Sequence, residues 1–341
     1  MDILRIVASF MVIMLHVSAS QWFSVDVNSA AWKIFNLYDS AVRSCVPLFF
    51  MISGMFFLGK EKMVPLSKLI KSNILKLIVL YAFWSLLYAV DTVGIAVLIH
   101  SPGALSDFFA AAVNGKYHLW FIPALSMVYL LSPVLYGFSR YKEGRYISYA
   151  CLLFFTFAVL IPTIKLCIGD SEYILTLLKK FNYELVGYSG YFLFGYYLSK
   201  KNFSKIRTPL LVAALIAVIA VATLIGQIHA AGKGKPTGIL YGYMALPVFI
   251  EATLLFILFL KLSTQKLGRY ANVIAKVSKC TLAVYLLHPF VLDHLLSWAK
   301  IGTLSFTPWL SVPVISIFAF VVCLFLSMLL NKLPIINRWL V

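Results

Sequence analysis

Apolar residues run through this chain in unbroken stretches near 20 residues long, separated by short polar segments. A helix rising 1.5 Å per residue needs about 20 apolar residues to cross the hydrocarbon of a bilayer. Stretches of that length predict transmembrane helices and not the short alternating runs of strands. They fall at roughly 2–20, 40–58, 74–93, 118–138, 146–166, 183–199, 208–228, 239–261, 279–298 and 308–331. The stretch 101–115, with Leu105, Phe108 and Phe109 around Asp107, is shorter and reads as an interfacial or re-entrant segment. No soluble domain, long linker or low-complexity tail breaks the series. The expectation is an all-α polytopic membrane protein of about ten transmembrane helices, with residues 1–341 forming a single integral membrane domain. The first stretch ends in Ser18-Ala19-Ser20, small residues that resemble a signal-cleavage site. Because further spans follow, it reads as the first span.

Composition agrees with that pattern. Apolar residues make up 62% of the chain and charged ones 12%, with a mean hydropathy of +0.93. Soluble domains carry about 25% charged residues, so a water-facing exterior is excluded. The net charge of +17 would suit a nucleic-acid partner, but the cations lie in short loops between spans and none is expected. Counted on alternate sides, Lys and Arg number 20 against 8, with Arg43 inside a span and left out. Asp26, Asp39, Asp107, Asp170, Glu172 and Glu184 all fall on the lysine-poor side. The positive-inside rule then places both termini in the cytoplasm, as an even number of spans requires. Cys45, Cys151, Cys167, Cys280 and Cys323 show no C-x-x-C spacing and lie mostly in apolar stretches, so disulfides, zinc and iron–sulfur clusters are not expected.

Ionisable groups inside a span cost about 2.5–3.5 kcal/mol each on insertion scales, so each needs a reason. The first span carries Asp2, Arg5 and His16, the last about 21 Å from Asp2 along the helix. His16 reads either as an interfacial histidine bonded to a carbonyl or as a functional group near the outer face. Asp39 and Arg43, four residues apart, share one helical face. Arg43 is then either half of a structural ion pair or a site residue in the same outer half as His16. His118 opens the fourth span in His118-Leu119-Trp120-Phe121, where His and Trp also serve as anchors. Glu251 lies near the middle of the eighth span, and His288 about halfway through the ninth. Lys68, Lys71 and Lys76 run into the third span with Asn73 between them. Their charge suits polyphosphate or CoA phosphates, and equally ordinary topology and anionic lipid.

Taken in order, these segments resemble the acyltransferase-3 family, and most closely its WecH-like branch of surface-polysaccharide O-acetyltransferases. The blocks that carry the resemblance are Asp2-Ile3-Leu4-Arg5 leading to His16, and Arg43-Ser44-Cys45-Val46-Pro47-Leu48-Phe49-Phe50-Met51-Ile52-Ser53-Gly54. His118-Leu119-Trp120-Phe121, Gly190 to Leu198, and Thr281-Leu282-Ala283-Val284-Tyr285-Leu286-Leu287-His288-Pro289 extend it collinearly over the chain. The resemblance implies a ten-helix enzyme of the bacterial inner membrane. It would take an acyl group from acetyl-CoA or another cytoplasmic acyl-CoA and pass it to a hydroxyl of a glycan or lipid-linked sugar. It also implies that His16 is essential. The family's R-x-x-R pair at the start of the third span reads Asn73-Ile74-Leu75-Lys76 here. Lysine keeps one charge but loses the bidentate fork, leaving Lys71, Asn73 and Lys76 as the expected donor contacts.

Such a reaction assigns His16 as base or nucleophile and Arg43 as stabiliser of the developing oxyanion or orienter of substrate. Asp39, His118, Glu251 and His288 are expected on the acceptor side or behind the catalytic groups, and no metal is required. The stretch His288 to Asp293 matches the H-x-x-x-x-D spacing of soluble glycerolipid acyltransferases. In a continuous α-helix those side chains would stand about 140° apart, so that match reads as coincidence. The alternative function is a proton-coupled carrier or exporter, which intramembrane Arg, Glu and His also suit. A membrane scaffold would need no charged interior.

Overall fold

A computed structural model of the chain describes residues 1–94, 101, 103–168, 187–262 and 268–332. Residues 183–186 of the sixth predicted span, Asp170, Glu172, Lys179, Lys180, Glu184, Lys266 and Arg338 lie outside the described residues, as do the side chains of Lys165, Cys167 and Arg269. The described residues form helices and connecting turns, with no strand among them.

The helices are α1 Asp2–Ala19, α2 Ala30–Val42, α3 Cys45–Leu58, α4 Leu66–Val93, α5 Ala104–Asn114, α6 Phe121–Arg140, α7 147–168, α8 Gly187–Ser199, α9 Thr208–Lys233, α10 Leu246–Leu262, α11 Ala271–Phe290 and α12 Pro308–Leu330. Eight helical stretches among the described residues are long and apolar enough to cross a membrane, with α2 and α3 counted together. The shorter α8 and α10 occupy the sixth and eighth predicted spans.

Several boundaries differ from expectation for local reasons. The second span starts at Ala30, where Ser29 caps the helix by accepting from the Trp32 amide at 3.1 Å, and it breaks at Arg43-Ser44. The third starts at Leu66 and not 74, so Lys68 and Lys71 sit on helix, with a π-helical turn at Leu69–Ile74. Residues 239–245 of the eighth predicted span are turn and not helix. Gly238 and Gly242 loosen the chain there, and Pro247 fits the first turn of a helix beginning at Leu246. Glu251 consequently lies in the second turn of α10 and not at its middle.

Helix α1 forms the centre of the bundle, packed by α2, α3, α11 and α12, with Leu4, Ala8 and Ile13 fully buried. In lipid, close backbone approach replaces the hydrophobic effect as the source of helix association. The α3–α8 crossing shows this: a Cβ on Gly54 would fall on the Phe192 carbonyl, and one on Gly195 on the Met51 backbone. Lipid-facing apolar surface lies at the edge, where α9 buries only Leu211, Ala222, Gly226 and Ala230. Helix α5 folds back along α4, its C-terminal carbonyls at Ala112 and Val113 accepting from Ser85 and Tyr81. This return delivers the chain to Tyr117 and His118.

Candidate functional site

The histidines come together through the sequence around Pro289. A proline has no N–H and its ring excludes the carbonyl four residues back, here that of Tyr285. That carbonyl instead accepts from His288 Nδ1 at 2.6 Å. A carbonyl only accepts, so Nδ1 carries the proton of the neutral ring, and Nε2 is left as a lone pair. His288 Nε2 is buried without a hydrogen-bond partner.

His16 stacks on this ring, with centroids 5.1 Å apart and planes 20° apart. His118 meets it edge-on at 5.2 Å. His118 lies in the turn ahead of α6 and not on the helix as expected. Gly115, at φ +66°, starts that turn, and the Tyr285 hydroxyl donates to the His118 carbonyl. Both His118 ring nitrogens are buried, with the Leu286 backbone within reach of the ring. Three histidines distant in sequence thus share one centre, walled by Tyr88, Tyr117 and Tyr285.

Arg43 belongs to a second group nearby. Its Nε and Nη2 reach Asp39 Oδ2 at 2.7 and 2.6 Å, and its guanidinium lies 5.4 Å from the Tyr241 ring centroid. Asp39 is fully buried and its Oδ1 has no partner; the same holds for Oε2 of buried Glu251. Glu251 and His16 both lie within electrostatic reach of Arg43. The expected i,i+4 ion pair therefore forms, with Arg43 within electrostatic reach of His16 but not among the residues lining its cavity. Buried polar atoms are nearly always paired, yet Asp39, Ser44, Glu251 and His288 all carry unpartnered ones here. That concentration marks a built polar centre inside an apolar bundle.

Of the histidines, His118 and His288 are buried, while His16 borders a cavity of about 580 Å³. Its other polar walls include Gln21, Tyr117, Asp293 and Thr303. Burial, and next the Asp293 carboxylate, push the Tyr117 phenol above its ordinary value, so it is an O–H donor at neutral pH. Asp293 corrects the helical-spacing argument. The backbone passes into a π-helical turn at Val291–Leu295, so the assumed continuous α-helix does not exist. Asp293 reaches the His16 cavity, bound to Lys116 Nζ at 2.7 Å and not to His288. Tyr117 and Asp293 are the site groups that sequence reasoning missed. The His-Pro step before the irregular turn could have signalled Asp293, but nothing comparable marks Tyr117.

Lys71, Asn73 and Lys76 are not brought to this centre. They lie on the π-helical turn of α4 and just past it, at the opposite end of the bundle, with Lys71 exposed and the other two partly buried. Cys45, Cys151, Cys280 and Cys323 are free and buried.

The fold and this centre define a multi-pass membrane protein with a buried, ionisable interior. A family model described as an acyltransferase domain matches residues 1–328. The chain belongs to that acyltransferase-3 family and is a membrane acyltransferase. No curated protein and no solved structure matches it.

Proposed function

We propose that the protein is an O-acetyltransferase of a bacterial inner membrane, in the WecH-like branch of its family. It takes the acyl group of acyl-CoA from the lysine-rich face, the cytoplasmic side that also holds both termini. The acceptor is a hydroxyl of a cell-surface glycan or lipid-linked sugar. The observation that carries this reading is that His16 borders the outer cavity with His118 and His288 packed behind it.

In this mechanism the neutral imidazole of His16 takes the acceptor hydroxyl proton. The oxygen attacks the thioester carbonyl, and Arg43 is the cation assigned to the resulting oxyanion. Collapse of the tetrahedral species breaks the carbon–sulfur bond. The departing thiolate recovers the proton from imidazolium, giving ester and free thiol. His16 is about 21 Å from the start of α1 by helical rise, so the thioester arrives on an extended arm threaded between helices, with its phosphates held near Lys71, Asn73 and Lys76. Asp39 fixes Arg43, while Glu251, His118 and His288 set the polarity around the acceptor.

His16→Ala and His16→Gln test the assignment. Removing a general base lowers rate by about 10²–10⁴-fold, and one imidazole facing a cavity is not needed for insertion. Glutamine keeps hydrogen bonding but takes no proton at neutral pH, so both variants should insert normally and be inactive with acetyl-CoA. An active His16→Gln protein would move the base to His288.

A further inference from the structure

On the lysine-rich face a second cavity of about 580 Å³ opens among the ends of α6, α7 and α8. It is lined by Arg140 at the end of α6, Arg145 in the following turn, and Lys200 and Lys201 just past α8. Gly144, at φ +76°, turns the chain between the two arginines. A Cβ there would press on the Ser139 carbonyl at 3.1 Å and on Ile147 at 3.0 Å. Lys200 and Lys201 stand over the rings of Tyr196 and Tyr197 at 5.3 and 4.8 Å. Arg140 ties the wall to the end of α3, with Nη2 donating to the Leu58 and Lys60 carbonyls at 3.1 and 2.6 Å.

Positive-inside sorting requires cations on this face. It does not require four of them to converge on one concavity from separate stretches of chain, where like charges repel. No carboxylate is among the described side chains that line it. An anion removes the repulsion, and guanidinium forks match phosphate oxygens two at a time. We propose that this cavity is a phosphate-binding site, distinct from the histidine centre and from the Lys71–Lys76 segment. Two ligands carry that chemistry to this face: the headgroup of an anionic phospholipid, and a nucleotide phosphate of CoA. The site does not rest on the acyl-transfer reading, because binding is read on the protein alone.

The test uses the full-length protein in neutral detergent and the variant Arg145→Gln/Lys200→Gln/Lys201→Gln. Arg140 is kept because it holds the 58–60 turn. Thermal unfolding is followed while titrating short-chain phosphatidylglycerol, phosphatidylcholine, CoA or dephospho-CoA. The native protein should be stabilised by phosphatidylglycerol over phosphatidylcholine, or by CoA over dephospho-CoA, and the selective pair names the source. The variant should need about tenfold to a hundredfold more of that ligand, the loss expected for a charged hydrogen bond. All three side chains are exposed, so the variant should fold. If its ligand-free midpoint falls, Lys200→Gln/Lys201→Gln is read in its place. Equal responses of native and variant protein to every probe would overturn the site.

Discussion

Two acid–arginine pairs, one at each end of the bundle, show how the same chemistry is used differently. Asp2 and Arg5 open α1 on the lysine-rich side. They meet at 3.3 Å with side chains 44% and 31% exposed, and both also reach Ser278. Asp39 and Arg43 meet at 2.6 Å with the carboxylate wholly buried, one of its oxygens unpartnered, and the guanidinium side chain 22% exposed. The first pair is solvated and serves as a helix end and topological marker. The second leaves a carboxylate oxygen unpartnered in the interior, with its arginine within electrostatic reach of His16, a placement that packing alone would not select. Where polar groups are buried, the bundle is a site; where they are exposed, it is a boundary.

The largest effect expected from this contrast comes from removing one carboxylate at each end. Asp39→Ala leaves Arg43 uncompensated in the interior and should destabilise by about 3–5 kcal/mol. Asp2→Ala removes a half-exposed pair and should cost no more than about 1 kcal/mol. Thermal unfolding in one detergent compares them directly, and equal losses would end the distinction between the two ends.

Next in size is His288. His288→Asn keeps an N–H near Nδ1 for the Tyr285 carbonyl but removes the lone pair at Nε2 and the ring under His16. Misplacing a reacting group by an ångström costs about 100-fold, so transfer should fall by that order while the midpoint holds. His288→Phe keeps the stack and loses the hydrogen bond, and should be the less stable of the two. An active His288→Asn enzyme would show that His16 works without its partner.

How much of this was legible in the sequence follows from what sets each feature. Span positions come from apolar length, so the order of the helices was readable. Boundaries set by single residues were not: the capped start at Ser29 lay outside the apolar run, and Gly242 and Pro247 hid inside one. His16, Arg43, Asp39, His118, Glu251 and His288 stood out because ionisable groups are expensive in a span. That His16, His118 and His288 share a centre was not readable, because helix packing and the fold-back of α5 bring them together. Tyr117 looked like an ordinary interfacial aromatic, and Asp293 was set aside on a helical geometry that the π-helical turn abolishes.

The Lys116–Asp293 bridge joins the turn carrying His118 to the turn that follows His288, where Asp293 lines the His16 cavity. Its side chains are 22% and 44% exposed, so Lys116→Gln or Asp293→Asn should change stability by less than about 1 kcal/mol. The catalytic effect should exceed the stability effect, as a several-fold rise in KM for the acceptor with KM for acyl-CoA unchanged. Exchanging the charges in Lys116→Asp/Asp293→Lys should recover part of it if the pair acts by holding the two turns together. A rise in both KM values would place the pair in general folding and not at the acceptor end.

The smallest structural effect, and the sharpest separation of the two ends, is expected at Lys71 and Lys76. Lys71 is exposed on the π-helical turn and Lys76 is partly buried one turn on. Surface substitutions away from packing change stability by about 0.5 kcal/mol or less, so Lys71→Gln should leave the unfolding midpoint in place. Lys71→Gln/Lys76→Gln should move it slightly more, because Lys76 makes an interaction within the fold. If these lysines hold the donor phosphates, removing two charges should raise KM for acyl-CoA by about tenfold or more, each charged hydrogen bond being worth 1.5 kcal/mol or above. KM for the acceptor, set at the far end of α1, should stay constant. Lys76→Arg discriminates further. It restores the fork that a lysine lacks, and should lower KM for acyl-CoA relative to the native chain if phosphate is bound there. An unchanged KM in the double variant would move donor binding off α4. Arg140 and Arg145, already gathered around the basic cavity, would then become the candidates, and the phosphatidylglycerol and CoA titrations would decide between lipid and donor.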